Sequence, residues 1–211
     1  MIILKSSKVG IFGGSFDPPH KAHVELVLAA KNEFQLDHLF VVPSKYPPGK
    51  IPVAPFDKRL EWVKTIFAAM PGIEISDMEG SSSSTVFGKQ IFAQLGLKFP
   101  SAQYFWLLGE DQFDQLNFWK DIDTYAESLL WIVMPRDRHN KPSGVLSKRL
   151  SASSAAYFWT SSDPMVEIAS HRIREALQIK KSKKTAELEW IPEEIRDNVV
   201  QTYQPKGEVK N

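Results

Sequence analysis

Residues 10–26, GIFGGSFDPPHKAHVEL, bring together three glycines, two prolines and two histidines between two apolar runs. Because Gly13 and Gly14 lack side chains, the backbone N–H groups of a turn that contains them can approach a ligand closely. His20 and His23 are three residues apart and share one face of a helix. Imidazoles beside a polyphosphate gain a proton and donate charge-assisted hydrogen bonds. This combination predicts a turn that binds the phosphates of a nucleotide.

Other interpretations of this turn stay open on the residues themselves. The segment does not follow the G-x-G-x-x-G pattern, and G-x-x-x-x-G-K-[ST] occurs nowhere in the chain. A glycine-rich turn between a strand and a helix can also be purely structural. His20 and His23 could be solvated, or they could hold a metal ion together with Asp17.

The sequence around this turn alternates short apolar runs with longer helical segments. Five runs lack the alternation of a half-exposed sheet and are predicted as strands covered on both faces, at residues 9–12, 39–42, 73–76, 104–108 and 129–134. Three helices are predicted between them, at residues 22–34, 57–70 and 85–97. This alternation predicts an α/β fold with a doubly wound parallel sheet. In such sheets ligands bind beyond the carboxyl ends of the strands, where the opening turn lies.

The remainder of the chain is predicted to complete a single domain that spans residues 1–211. Residues 136–153 are polar and are predicted as a surface loop. A helix is predicted over residues 193–203 with a proline at its start, within a small helical subregion at about 167–203. Residues 204–211 are predicted to be a frayed tail.

The composition narrows the class of protein. The formal net charge of +1 disfavours a nucleic-acid-binding role, which usually needs a basic surface. The chain has no cysteine, which excludes disulfides and thiol catalysis and suits a reducing cytoplasm. The first residues do not form a signal peptide, and no apolar stretch approaches the roughly 20 residues of a membrane span. A cytoplasmic protein with no membrane partner is therefore predicted.

At this point the chain resembles a known family. GIFGGSFDPPHKAH is similar to the G-x-F-G-G-[ST]-F-D-P-x-H-x-G-H signature of the nicotinate-nucleotide adenylyltransferases, within the wider H-x-G-H nucleotidylyltransferases, which have a Rossmann-like fold. Five further segments resemble later motifs of that family in order: VVPSKYPPGK, FDKRLEWV, WLLGEDQFDQLNFWKDID, EIASHRIREAL and WIPEEIRDNV.

The resemblance implies adenylyl transfer from ATP to nicotinate mononucleotide, with Mg²⁺, in NAD biosynthesis. It implies catalytic roles for His20, His23 and Arg174, and no metal-ligating side chains. It also implies that ATP is bound by seven further residues, namely Gly13, Gly14, Ser15, Lys50, Gly109, Asp111 and Ser170. Thr85 and Trp119 would contact the acceptor. FDKRLEWV also places Arg59 on an arginine of the family.

Three positions depart from the family pattern. Ala22 replaces the glycine of H-x-G-H, residues 84–88 (STVFG) replace most of S-Y-T-V-D-T, and His171 replaces a threonine. The changed 84–88 segment keeps other acceptors open, namely nicotinamide mononucleotide or phosphopantetheine. Ala22 keeps open a nucleotide-binding module without catalytic activity. The oligomeric state stays undetermined.

Overall fold

A single parallel sheet organises the chain. The computed structural model describes residues 6–86, 88–134, 144, 150, 157–159, 168–178 and 186–204. Within these residues the sheet has six strands, all parallel, in the order β3-β2-β1-β4-β5-β6. The strands are β1 (Lys8–Gly14), β2 (His38–Pro43), β3 (Ile73–Ile75), β4 (Gln103–Gly109), β5 (Leu130–Met134) and β6 (Tyr157–Trp159).

This topology confirms the predicted doubly wound fold and its five strands, and it adds β6, which was not predicted. The chain runs outward from β1 to β3 and then returns to β4 on the other side of β1. Ligands bind at such a reversal, beyond the carboxyl ends of the strands. The two strands that flank the reversal end at Gly14 and Gly109.

Six α-helices are present in the described part of the chain: α1 (Lys21–Phe34), α2 (Phe56–Phe67), α3 (Gly88–Lys98), α4 (Glu110–Phe113), α5 (Ser170–Gln178) and α6 (Arg196–Tyr203). Helix α3 begins three residues later than predicted, since β-branched Thr85 and Val86 are weak helix formers. Helix α2 ends three residues earlier than predicted, close to Pro71. The predicted helix 193–203 begins as a 3-10 turn, Glu193–Ile195, and continues as α6.

Two layers of helices cover the sheet. Helices α1, α2, α5 and α6 pack on the face that carries Phe12 and Leu107. Helix α3, α4 and the turns that follow α4 pack on the opposite face, which carries Ile11 and Trp106. Burial on both faces explains why the strands are continuous apolar runs.

The loop predicted at residues 136–153 lies outside the described residues except for positions 144 and 150, and the predicted tail does so beyond Gln204. No helix in the described ranges is long and apolar enough to cross a bilayer.

Candidate active site

The turn after β1 is held in a defined shape by its glycines. A Cβ atom on Gly14 would lie 3.0 Å from the ring of Phe16, so that ring folds back directly onto the strand end. Phe16 adopts a left-handed conformation with φ 49° and is fully buried. The Ser44 N–H donates to the Gly14 carbonyl (2.8 Å), which joins this turn to the loop after β2. The predicted phosphate turn therefore lies at the reversal of the sheet, with Gly13 beside it in the last β1–β2 pairs.

His20 and His23 lie against each other at the start of α1. Their rings stack with centroids 3.6 Å apart and an angle of 16° between the planes. The backbone N–H of His20 donates to His23 Nδ1 (3.1 Å), so in the neutral ring the proton resides on Nε2. His20 is 7% exposed, and the His23 ring also contacts Phe16 at 5.0 Å. The structure thus brings together the two histidines that the sequence singled out.

The first turn of α5 docks on the segment that precedes α1. The Ser170 hydroxyl donates to the Pro18 carbonyl (2.8 Å). The Arg174 guanidinium donates to the Asp17 carbonyl and lies 3.6 Å from the Asp17 carboxylate. Ser170 and Arg174 are therefore bonded to Pro18 and Asp17, which lie two and three positions before His20 in the chain. Two helix N-termini, whose dipoles favour an anion, meet at this edge of the sheet.

Asp17 is the buried centre of this junction. Its carboxylate accepts hydrogen bonds from the N–H groups of Val53 (2.8 Å) and Ala54 (2.9 Å) and from the Tyr203 hydroxyl (2.6 Å). Burial and the hydrogen bond to Asp17 raise the pKa of Tyr203 far above its usual value, so the phenol stays a donor. The part of the chain that the structure describes holds no group of three side chains arranged to bind a metal ion. Asp17 serves here as an anchor for the loop and for Arg174.

Arg59 is buried beside the same turn and donates hydrogen bonds to its backbone. It was not among the predicted site residues. Its guanidinium is 1% exposed and donates to the carbonyls of Ser15 (2.5 Å), Ser44 (2.6 Å) and Ala54 (3.1 Å). Burial lowers the pKa of Arg59 below its ordinary value, while the charge of Asp17 opposes that change. The resemblance of FDKRLEWV to a segment of the family was the signal that pointed to Arg59. The hydrogen bond from Arg59 to the Ser15 carbonyl fixes Ser15.

The loop after β2 is anchored at one end by Glu79. The buried Glu79 carboxylate accepts hydrogen bonds from the Ser44 hydroxyl (2.9 Å) and the Lys45 N–H (2.9 Å). The Lys45 ammonium donates to two backbone carbonyls within residues 80–82 (2.7 and 2.9 Å). Burial raises the pKa of Glu79, whereas these hydrogen bonds and the charge of Arg59 act to lower it.

Lys50 lies at the exposed apex of that loop. Its backbone N–H donates to the Pro47 carbonyl (3.3 Å) and closes a turn in which Gly49 has φ 66°. Since the loop is fixed at Ser44 and again at Val53 by hydrogen bonds, the apex projects from two anchored ends.

Gly109 and Asp111 follow the end of β4, next to β1 in the sheet. A Cβ on Gly109 would lie 2.8 Å from Asp111 Oδ1, so the exposed carboxylate folds over the glycine. Gly109 takes the N-cap position of α4, and Asp111 lies in its first turn, where the helix dipole favours an anion.

Trp119 and Thr85 lie on the other side of the sheet edge, near the start of α3. Trp119 is half-buried and packs edge-on against Trp106 (5.6 Å, 74°) and Trp131 (6.4 Å, 75°). Thr85 lines an open cavity of about 330 Å³ whose other lining residues are Ser84, Lys89, Gln90, Lys120 and Asp121. Lys120, one of these lining residues, directly follows Trp119 in the chain.

The residues that depart from the family pattern are accommodated in different ways. Ala22 is buried in the first turn of α1, where its methyl group becomes part of the packing. His171 is exposed on α5, between residues that dock on the loop.

The comparisons with known proteins agree with this geometry. The Cytidylyltransferase-like family model matches residues 11–176. A Thermotoga sp. (strain RQ2) protein named "Probable nicotinate-nucleotide adenylyltransferase" is 35% identical over 200 residues, covering 93% of this chain and 97% of the relative. A Gloeobacter violaceus protein of the same name is 31% identical over 173 residues, covering 81% of this chain and 84% of the relative.

A solved structure shares the fold. The nicotinic acid mononucleotide adenylyltransferase of Plasmodium falciparum, complexed with NaAD, superposes with a TM-score of 0.77 at 19% identity, covering 92% of this chain and 95% of that one. The family match and the curated relatives span most of the chain, including the turn after β1 and the start of α5. The chain therefore belongs to the nicotinate-nucleotide adenylyltransferase family of Cytidylyltransferase-like nucleotidyltransferases.

Proposed function

We propose that this protein transfers the adenylyl group of ATP to nicotinate mononucleotide, forming nicotinate adenine dinucleotide and releasing pyrophosphate in the cytoplasm. The observation that carries this proposal is the junction at Asp17 and Pro18. There the first turn of α5, with Ser170 and Arg174, is fastened to the segment that leads into His20. Curated relatives that match nearly the full chain bear the name of this activity.

The chemistry asks the protein for position and for positive charge. An oxygen of the acceptor phosphate attacks the α-phosphorus of ATP, and the bond from that phosphorus to the bridging β-oxygen breaks. The acceptor phosphate is already an anion, so no strong general base is required. Catalysis comes from in-line alignment and from neutralising the negative charge that develops on pyrophosphate.

Residues at the starts of α1 and α5 bind the phosphates in this scheme. The backbone N–H groups at Gly14 and Ser15, with the imidazoles of His20 and His23, donate to the phosphates from the α1 side. Arg174 donates from the α5 side, after exchanging its contact with Asp17 for a phosphate oxygen. Mg²⁺ would enter with the substrate as MgATP and would offset the negative charge of its phosphates.

The remaining contacts concern the two ends of the substrates. Gly109 and Asp111 receive the adenosine, with the carboxylate accepting from ribose hydroxyls, and Lys50 approaches the phosphates from its loop. Trp119 offers a ring surface for the nicotinate. The cavity described above is lined by Lys89, Lys120 and Asp121, with the Lys89 ammonium 3.8 Å from the Asp121 carboxylate. The one positive charge in excess favours an acceptor whose ring bears a carboxylate.

The decisive experiment measures pyrophosphate release from MgATP with nicotinate mononucleotide, nicotinamide mononucleotide or phosphopantetheine as the acceptor. We expect release to require Mg²⁺ and to be fastest with nicotinate mononucleotide. Faster turnover of another acceptor would move the assignment to that compound. No release with any acceptor, in a protein that still binds ATP, would favour a binding module.

A pair of histidine variants tests the roles within the site. His20→Ala removes a donor to the phosphates and is expected to lower kcat/KM by about 100-fold or more. His171→Ala, an exposed histidine on α5, serves as the matched control and should stay within about twofold of the wild type. Equal effects of the two substitutions would contradict the assignment of His20.

A further inference from the structure

Helix α3 begins in direct contact with an aromatic cluster. A Cβ atom on Gly88, its first residue, would lie 2.7 Å from the Tyr125 hydroxyl oxygen, 3.2 Å from the Trp106 ring and 3.5 Å from the Trp119 ring. Cβ atoms essentially never approach another heavy atom within 3.0 Å. The φ angle of Gly88 is not in the left-handed region, so the backbone itself would accept another residue. Glycine is therefore required at this position because neighbouring side chains lie too close for a Cβ atom, and not because of its backbone conformation.

The Tyr125 side chain has little freedom to yield. It is 3% exposed, and its ring stacks on Phe92 of α3 at 6.4 Å. The hydroxyl is buried and has no hydrogen-bond partner among the residues that the structure describes. Burial, with the charge of Asp121, raises the pKa of Tyr125 to about 12, so the hydroxyl stays neutral at physiological pH.

Gly88 and Trp119 each precede a lining residue of the cavity described above, Lys89 and Lys120 respectively. Thr85 and Lys89 line that cavity from the α3 side, and Lys120 lines it from the segment that carries Trp119. Trp119 is supported from behind by Trp106 and Trp131, which belong to β4 and β5. A side chain at position 88 would collide with Tyr125 and press on Trp106, whereas its contact with Trp119 would be an ordinary one. The start of α3 would therefore have to move away from this cluster, which changes its distance from the Trp119 ring.

We infer that Gly88 is a positioning residue for the acceptor site: its missing side chain sets the distance between the α3 N-terminus and the Trp119 ring. This inference rests on the proposed function, in which Trp119 receives the ring of the acceptor. His20 and Arg174 of the ATP subsite are not among the nearest neighbours of Gly88. The Trp106 ring lies near both Gly88 and Gly13, so an effect passed through Trp106 would raise the KM for ATP as well.

Gly88→Ala tests the inference by a separation of kinetic constants. The KM for nicotinate mononucleotide is expected to rise about tenfold, while the KM for ATP stays within about twofold of the wild type. Alanine favours a helix more than glycine does, so a weaker helix would not explain the loss. Gly96→Ala is the matched control, because it lies in the same helix and its Cβ would meet nothing within 4 Å.

A second variant relieves the contact and makes the cause specific. Tyr125→Phe removes the oxygen at 2.7 Å and, since that hydroxyl forms no hydrogen bond, should leave both KM values near those of the wild type. Gly88→Ala combined with Tyr125→Phe should then restore most of the acceptor affinity. Near-UV circular dichroism should show the tryptophan signal altered in Gly88→Ala and restored in the double variant, whatever the activity of either.

The outcomes separate this inference from the proposed function. A wild-type protein that does not turn over nicotinate mononucleotide contradicts the proposed function. If the wild type is active, an unchanged acceptor KM in Gly88→Ala overturns the inference. A parallel rise in both KM values, or a loss that Tyr125→Phe fails to relieve, overturns it equally.

Discussion

Single side chains in this site are held by neighbours that have no part in the chemistry. His23 accepts a hydrogen bond from the backbone of His20, and Ser15 is fixed through its carbonyl by Arg59. Such support keeps donors in the geometry that a transferring phosphoryl group requires. Glu79 supports the loop after β2 at a cost in free energy, because burial of a carboxylate is unfavourable even when it accepts hydrogen bonds.

Glu79 predicts a specific pH dependence of stability. Burial raises the pKa of Glu79 above its ordinary value of 4.5, so between pH 4.5 and the raised pKa the folded state holds a proton that the unfolded state has released. Its contribution to the free energy of unfolding is complete below pH 4.5 and is lost as the pH rises through the raised pKa. Glu79→Gln keeps an oxygen that accepts from Ser44 and Lys45 but does not titrate. Urea unfolding at several pH values should show the variant gaining on the wild type as the pH rises. Parallel profiles would exclude this role for Glu79.

At the scale of elements, the site depends on helices that come from opposite ends of the chain. The N-termini of α1 and α5 meet at Asp17, and α6 reaches the same carboxylate through Tyr203. The Tyr203 hydroxyl donates to Asp17 Oδ1, and Arg174 Nη1 lies 3.6 Å from Asp17 Oδ2, so both offset the charge of one carboxylate. If Arg174 leaves Asp17 for a phosphate, as the proposed function requires, we expect the C-terminal helix to affect that exchange.

Tyr203→Phe tests this coupling between α6 and the phosphate site. Loss of a hydrogen bond to a charged group should lower the free energy of unfolding by about 1.5–3 kcal/mol. Asp17 then attracts Arg174 more strongly, so the KM for ATP should rise about threefold while the KM for the acceptor stays constant. Tyr104→Phe loses hydrogen bonds to Leu95 and Phe99 in the other layer and should lose stability alone. Equal kinetic effects of the two variants would show that the coupling does not exist.

At the scale of the whole molecule, the C-terminal helix is part of the main core. Trp62 of α2 is buried, its indole N–H donates to the Asn198 side chain (2.7 Å), and its ring contacts Tyr203 at 5.8 Å. The described helices of the subregion predicted at 167–203 therefore pack in the same core as α2. We expect the chain to unfold as one domain.

Trp62→Ala tests the unity of this core. Truncation of a buried tryptophan should lower the free energy of unfolding by about 3–5 kcal/mol. Asn198→Ala, which removes only the hydrogen bond, should lower it by about 1 kcal/mol. Both variants should unfold in urea with a single transition that far-UV circular dichroism and tryptophan fluorescence report alike. Two separate transitions would mean that the C-terminal helices form an independent unit.

The strands and the glycine-rich turn after β1 were predictable because their causes are local. Strands buried on both faces must be apolar runs such as residues 9–12, and a turn that brings its backbone to a ligand needs glycines in adjacent positions. The contacts of Tyr203 with Asp17 and of Gly88 with Tyr125 left no such trace. They join residues 186 and 37 positions apart, and any buried tyrosine or helix-initial glycine looks the same in the sequence. Folding alone brings these pairs together, because the strand order of the sheet sets which distant loops share an edge.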